Sequence, residues 1–285
     1  MVETVDVITP IVDDSYTFGA ICAANSMSDI YAMGGTPLTA LAILGFASCD
    51  FGASVIKRLL RGAIDKLREA NVCLIGGHSI EDNEFKFGFS ISGVVRREEI
   101  LRLSGARPGD ILILTKRLGT GVLTSAVKLK KMRQSQLRPA ILSMLQLNKS
   151  ASRVAIQSGA NAATDVTGFG LLGHALNIAK ASRVDLVIFY GEVPFMEKVR
   201  DYIKKGIVPK GAKRTLEFCE KNIEFLESIT ESDKLALSDP QTSGGMLIAL
   251  PRRNLKRFKQ IAERQEMPYW LIGEVIRGMG RVIIR

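Results

Sequence analysis

Soft metal ligands are sparse in this chain: its four cysteines (Cys22, Cys49, Cys73 and Cys219) stand far apart, with no CxxC pair. That spacing indicates neither a zinc knuckle nor a disulfide framework, and a reducing cytoplasm is the expected setting. No run of about 18 uninterrupted apolar residues occurs, so no membrane partner is expected. The N-terminus also lacks the basic-then-apolar order of a secretion signal. Aromatic residues amount to 6% and fall mostly in apolar patterns. They leave no platform for stacking bases, and nucleic acid is not an expected partner. Acidic residues are outnumbered, 29 against 39 Lys and Arg, for a net charge of +10. The surplus favours anionic partners such as nucleotides and phosphates, while its short clusters (128–133, 204–214 and 252–259) read as solvated helix faces.

What is present is core. With 285 residues, 46% of them hydrophobic and 24% charged, the chain is long and apolar enough for two packed units. The charged stretch after residue 96 and the turn Arg107-Pro108-Gly109-Asp110 mark the boundary, giving domains 1–107 and 108–285.

The first domain is organised around NSMSDIYAMGG, residues 25–35. Phe18, Ile21, Cys22 and Asn25 fall at helical spacing, and the next members of that stripe are Asp29 and Met33. A carboxylate therefore sits in or beside an apolar face, close to a helix end that Gly34 and Gly35 close. There the macrodipole disfavours an anion by about 0.3–1 kcal/mol. Such a group needs a cation or several donors, unless it caps a neighbouring segment or lies at a frayed end. Before the helix, Val2–Ile11 alternates as a strand carrying Asp6, and Asp13 and Asp14 are expected to cap the helix. After it come a buried strand over Leu38–Phe46, an amphipathic helix over Ala53–Glu69 and a strand over Val72–Gly76. Gly76-Gly77-His78-Ser79 then reads either as a tight turn or as a concave donor site for an anion, with His78 and Ser79 adding donors. Phe85–Val95 alternates strictly, and its second face is small and polar, suited to lying over a site or against another sheet.

In the second domain Ile111–Thr115 is a strand. The LGTG that ends at Gly121 lacks the full glycine spacing of phosphate-binding fingerprints and is read as a structural turn. A single helix is expected over Pro139–Ala155. Thr164-Asp165-Val166-Thr167-Gly168-Phe169-Gly170 makes a tight strand-to-helix corner, with Asp165 pointing off it or capping the helix. His174 reads as packed or hydrogen-bonded rather than catalytic. Val184–Phe189 is a buried strand, and the polar turn Ser238–Gly245 leads into a strand over Met246–Leu250. A helix over Leu255–Glu266 and a strand over Tyr269–Ile276 complete an alternating pattern.

Taken together, VD-x-x-TPIVDD, NSMSDIYAMGG, GGHS, TDVTGFGLLGH and SDPQTSGG, in this order, resemble the selenophosphate synthetase (selenide, water dikinase) family of the aminoimidazole ribonucleotide synthetase superfamily. The resemblance runs from Val2 to about Val275. It implies a two-domain α/β (α+β) fold whose N-terminal domains pair in a dimeric, barrel-like sheet. It implies synthesis of selenophosphate from selenide, water and ATP, releasing AMP and orthophosphate, with Mg2+ as cofactor. Carried over position by position, Asp6 contacts ATP, Asp29 contacts ATP phosphates through metal, and Asp165 is a further magnesium ligand. Gly77, His78 and Ser79 touch the nucleotide bound mainly by the other subunit of a homodimer. Phosphoryl transfer asks mostly for positioning and charge neutralisation, which aspartates and magnesium supply. The family's catalytic Cys or selenocysteine and Lys belong to a segment expected upstream of Met1, so no catalytic nucleophile is assigned here, and neither Cys22 nor Cys49 takes that role. Met1 thus reads as the start of a truncated chain that is expected to fold and dimerise but to make little or no selenophosphate. The alternatives are another ATP-dependent kinase or synthetase of the superfamily, or a noncatalytic nucleotide-binding protein.

Overall fold

The computed structural model describes residues 1–47 and 52–285, in two compact units: 1–100 with 144–147, and 101–143 with 148–285. Cys49 lies outside the described residues.

The first unit runs β1 (Val2–Ile8), α1 (Ser15–Ala32), β2 (Thr36–Phe46), α2 (Ala53–Glu69), β3 (Cys73–Glu81) and β4 (Lys86–Val94). Its sheet has the order β1-β4-β2-β3. β4 is antiparallel to both neighbours, and β2 and β3 are parallel. Asp14 starts α1 by accepting from the Thr17 amide at 2.9 Å and the Thr17 hydroxyl at 2.6 Å, while Asp13 is exposed. α1 is buried nearly all round, Asn25, Ser26 and Ser28 included, because the sheet lies against one side and α2 against another. Such a helix needs small residues, and its sequence is rich in Ala and Ser. Phe87, Phe89 and Ile91 of β4 are fully buried, each stabilising the unit by about 2 kcal/mol.

Two expectations change here. β2 is not buried on both faces: Leu41 pairs across from Ser90, on the same side as Val5, and Leu41 and Val5 are exposed. Gly76-Gly77-His78-Ser79 is not a turn. It lies inside β3, paired with Leu41–Leu44 of β2, and β3 is exposed along almost its whole length as an edge strand. Pairing with β2 satisfies the backbone groups on one edge, so those glycines extend an edge strand instead of closing a loop.

The second unit contains β5 (Asp110–Leu114), α3 (Thr120–Lys128), α4 (Arg138–Leu145), α5 (Lys149–Ser158), β6 (Ala162–Asp165), α6 (Gly170–Ser182), β7 (Asp185–Ile188), α7 (Val199–Lys204), α8 (Lys210–Cys219), β8 (Ile223–Phe225), α9 (Glu231–Leu237), β9 (Met246–Pro251), α10 (Leu255–Arg264), β10 (Trp270–Ile276) and β11 (Val282–Ile284). Its seven-stranded sheet has the order β6-β9-β5-β10-β7-β11-β8. All pairs are antiparallel except those of β11 with β7 and β8. The alternation of strands and helices along the chain therefore builds a mainly antiparallel, α+β arrangement. Leu112 and Leu114 of β5 join the core under α6, while Ile111 and Ile113 join the core under α5 and α10. Helices on both faces explain the unbroken apolar run of β5.

The helix expected over Pro139–Ala155 is two helices, α4 and α5. Asn148 stands between them, buried, and its side-chain amide donates to the Gly244 carbonyl at 2.8 Å. That long-range bond fixes the break. Another long-range anchor is Asp185, whose Oδ1 accepts from the backbone amides of Met279 (2.9 Å), Gly280 (3.0 Å) and Arg281 (2.9 Å).

Candidate active site

In the first unit, period-2 spacing on a strand meets period-3.6 spacing on a helix. Thr4 and Asp6 share the face of β1 turned to α1, and Asn25 and Asp29 are one turn apart on α1. The result is two rungs. Thr4 Oγ1 donates to Asp29 Oδ2 at 2.5 Å, and the Asn25 side-chain amide donates to Asp6 Oδ2. The Ser26 hydroxyl adds a bond to the Asp6 carbonyl at 3.1 Å. Burial raises the Asp6 pKa from its ordinary value, and the negative charge of Asp29 raises it further. Asn25 and the Val7 amide work the other way, but both are neutral. Two carboxylates near enough for Asp29 to raise the Asp6 pKa, with the Thr4 and Ser26 hydroxyls beside them, offer the oxygen ligands that magnesium prefers. Among the described residues, no three His, Cys, Asp or Glu side chains gather in a metal-holding arrangement.

Asp6 and Asp29 are thus brought together. Met1 is exposed and immediately precedes β1, three residues before the first rung. Its thioether is neither a nucleophile nor a ligand that magnesium favours, so Met1 itself supplies no catalytic group. Gly77, His78 and Ser79 are not beside the two aspartates: β4 and β2 intervene between β1 and β3, three strand spacings or about 14 Å. The register puts His78 on the open face with Ile43, and Gly77 and Ser79 on the face that carries Asp6.

Asp165 belongs to the second unit, where it ends β6 and is buried. It does not cap α6, whose N-cap position is Phe169. The corner that follows is gripped at several points. The Val166 amide donates to the Gly245 carbonyl at 2.8 Å, and the Gln241 amide donates to the Thr167 carbonyl at 3.0 Å. The Thr167 amide donates to His174 Nε2 at 3.1 Å. His174 is therefore the packed, hydrogen-bonded histidine the sequence indicates; burial pushes its pKa down to about 4 and keeps the ring neutral. Gly244 approaches so closely that a Cβ there would stand 1.9 Å from the Val166 carbonyl oxygen.

The LGTG turn at the start of α3 is occupied by the protein itself. Gln241 Oε1 accepts from the amides of Gly119 (3.0 Å) and Thr120 (3.3 Å) and from the Thr120 hydroxyl (3.2 Å). Asp239 Oδ2 accepts from the Gly121 amide at 3.2 Å. These are the free amides that would otherwise cradle a phosphate, so the reading of LGTG as a structural turn gains a mechanism. Burial raises the Asp239 pKa to about 7 against the lowering effect of Gln241 and the Gly121 and Val122 amides. Buried Lys116 donates to the Ser243 carbonyl at 2.7 Å. Sequence reading missed Thr4, Asn25, Lys116, Asp239 and Gln241. The first two carried a signal, since they lie at i−2 from Asp6 and i−4 from Asp29.

Comparison with known proteins bears on this geometry. The AIR synthase related protein, N-terminal domain, matches residues 1–95, and its C-terminal domain matches residues 107–285. A selenide, water dikinase from Campylobacter jejuni is 39% identical over 287 residues, covering 100% of this chain and 82% of that protein. One from Geobacter metallireducens is 42% identical over 276 residues, covering 97% of this chain and 80% of that protein. The chain belongs to the selenide, water dikinase family. Its fold is shared more widely: thiamine-monophosphate kinase from Stenotrophomonas maltophilia superposes with a TM-score of 0.74 at 20% identity, over 99% of this chain and 84% of that one. The hydrogenase maturation protein HypE gives 0.74 at 16% identity, over 99% and 84%. No helix among the described residues is long and apolar enough to cross a membrane.

Proposed function

We propose that this chain carries out the reaction its family is named for: ATP, selenide and water give selenophosphate, AMP and orthophosphate, in a reducing cytoplasm. The observation that carries the reading is the pairing of Asp6 with Asp29. A half-buried carboxylate beside a second negative charge is costly in the free protein. Magnesium fits that pair because the donors are all oxygen, and when bound it neutralises the phosphate tail of ATP. In this reading Asp29 holds metal-bound ATP phosphates, Asp6 contacts ATP, and Thr4 and Asn25 fix the two carboxylates. Asp165 offers a further magnesium ligand in the second unit.

The exposed edge strand β3 and the open sheet face bearing Leu41 and Val5 support a homodimer built through the first unit. Gly77, His78 and Ser79 of one protomer then reach the nucleotide held by its partner. Their separation from Asp6 within one sheet favours this assignment over a shared site in a single chain.

Phosphorus-31 NMR of the chain with ATP, Mg2+ and selenide tests the proposal, with product identity rather than rate as the readout. AMP, orthophosphate and selenophosphate are expected together. ADP as the end product, or turnover that follows thiamine monophosphate instead of selenide, would overturn it.

A further inference from the structure

The segment Ser238–Gly245 joins two places that chemistry would otherwise treat separately, the N-terminus of α3 and the corner that carries Asp165. Gln241 is the centre of that join. Its Oε1 accepts from Gly119, Thr120 and the Thr120 hydroxyl, its Nε2 donates to the Asp239 carbonyl (2.7 Å) and to Asp239 Oδ2 (2.8 Å), and its own amide donates to Thr167. The Thr242 amide closes the ring by donating to the Thr120 hydroxyl at 3.0 Å. Every group is buried or nearly so. A rotated amide would set Nε2 against two backbone donors, so the side chain has one workable orientation. A Cβ on Gly121 would stand 2.5 Å from the Pro240 carbonyl oxygen and 2.6 Å from Asp239 Oδ1, which leaves the segment no room to shift toward α3.

We propose that Gln241 is a positioning residue for the Asp165 corner: its side chain fixes it to the start of α3, its backbone amide holds the Thr167 carbonyl, and this tie sets how strongly Asp165 holds its metal. The inference rests on the reading above that Asp165 is a metal ligand. Gln is the side chain this place requires, because one end must accept from amides and the other must donate to Asp239. Gln241→Met keeps the length and loses both functions. Gln241→Glu keeps the acceptor end and sets a second carboxylate against Asp239. That pair is tolerable only while it holds a shared proton.

The test is Mn2+ binding to the full chain, followed by electron paramagnetic resonance across pH 5.5–8.5 (about the range in which a carboxyl pair loses its shared proton), with melting temperatures in parallel. Gln241→Met is expected to weaken the Asp165-dependent Mn2+ site about tenfold at all pH values, the scale of losing a residue that orients a ligand. Gln241→Glu is expected to bind like the parent at the acid end and to lose about tenfold toward the alkaline end. A purely structural role would lower the melting temperature while leaving Mn2+ affinity and its pH profile unmoved, and would overturn the proposal. Asp165→Asn separates the two readings. If it removes a Mn2+ site that both Gln241 variants leave intact, the positioning role fails and the metal reading stands. If it leaves Mn2+ binding unchanged, the metal reading fails and takes the positioning role with it.

Discussion

Two strand aspartates, one in each unit, have opposite surroundings. Burial alone would raise the pKa of Asp185, yet the amides of Arg281, Met279 and Gly280 and the Arg281 guanidinium outweigh it and hold the carboxyl below its ordinary value. Asp6 is also pushed up by burial, but its charged neighbour is Asp29, and its pKa stays raised. Asp185 is satisfied by the fold, whereas the charge on Asp6 makes the fold less stable. Under the proposed function, the difference separates a carboxylate that builds structure from one that binds a ligand.

The largest effect expected from breaking this contrast lies at Asp185. Asp185→Ala removes the shared acceptor of three amides, of which Gly280's is buried, and should destabilise the second unit by about 2–3 kcal/mol, read as a drop in the urea midpoint. The sign with pH follows from the lowered pKa: the contribution of Asp185 is fully present above the unfolded value of about 3.8 and is lost as pH falls through the folded one. Asp29→Asn should leave the melting temperature near that of the parent while weakening the binding of magnesium with a non-hydrolysable ATP analogue about 100-fold, measured by titration calorimetry. A large loss of stability in Asp29→Asn with binding unchanged would erase the distinction.

Asp6→Asn sharpens it further. Asn keeps an oxygen to accept from Asn25 and removes the repulsion from Asp29. The variant should gain about 1 kcal/mol of stability, as is common when a functional site is neutralised, and lose about tenfold in affinity for the same magnesium–analogue complex. A melting curve and a titration on one preparation measure both. Gain in one and loss in the other is the signature of a residue kept for function at the expense of stability.

How much of this was legible follows the range of the interactions. The strict alternation of Phe87, Phe89 and Ile91 and the stripe from Phe18 to Asp29 are local, so β4, α1 and the unusual place of Asp29 could be read directly. The segment Gly76–Ser79 looked like a turn because glycines and polar residues resemble one. Its strand state depends on β2, more than thirty positions earlier and invisible to a local window. The break between α4 and α5 depends on an Asn148 bond to a residue 96 positions away. The partners of LGTG are farther still, at 118 positions for Asp239 and 122 for Gln241. SDPQTSGG was visible as a polar turn, and nothing local says that two of its side chains are buried against the start of a helix.

The smallest net effect sets His174 against Asp239, two buried groups of the second unit that titrate over the same range. His174 falls from 6.5 to about 4, so between those values the unfolded chain binds the extra proton and stability rises with pH. Asp239 rises from 3.8 to about 7, so there the folded chain binds the extra proton and stability falls with pH. Over about pH 5–6.5 each slope is on the order of 2 kcal/mol and the two nearly cancel. Asp239→Asn removes the falling slope, and the variant should gain stability steadily from pH 5 toward 6.5 (about 1–2 kcal/mol). His174→Gln keeps an acceptor for the Thr167 amide but removes the rising slope, and should lose a similar amount over the same interval. Urea titrations at three pH values measure all three proteins. Parallel pH profiles for the parent and Asp239→Asn would mean that Asp239 stays charged in the folded state, held by Gln241 and the amides of α3 against the cost of burial.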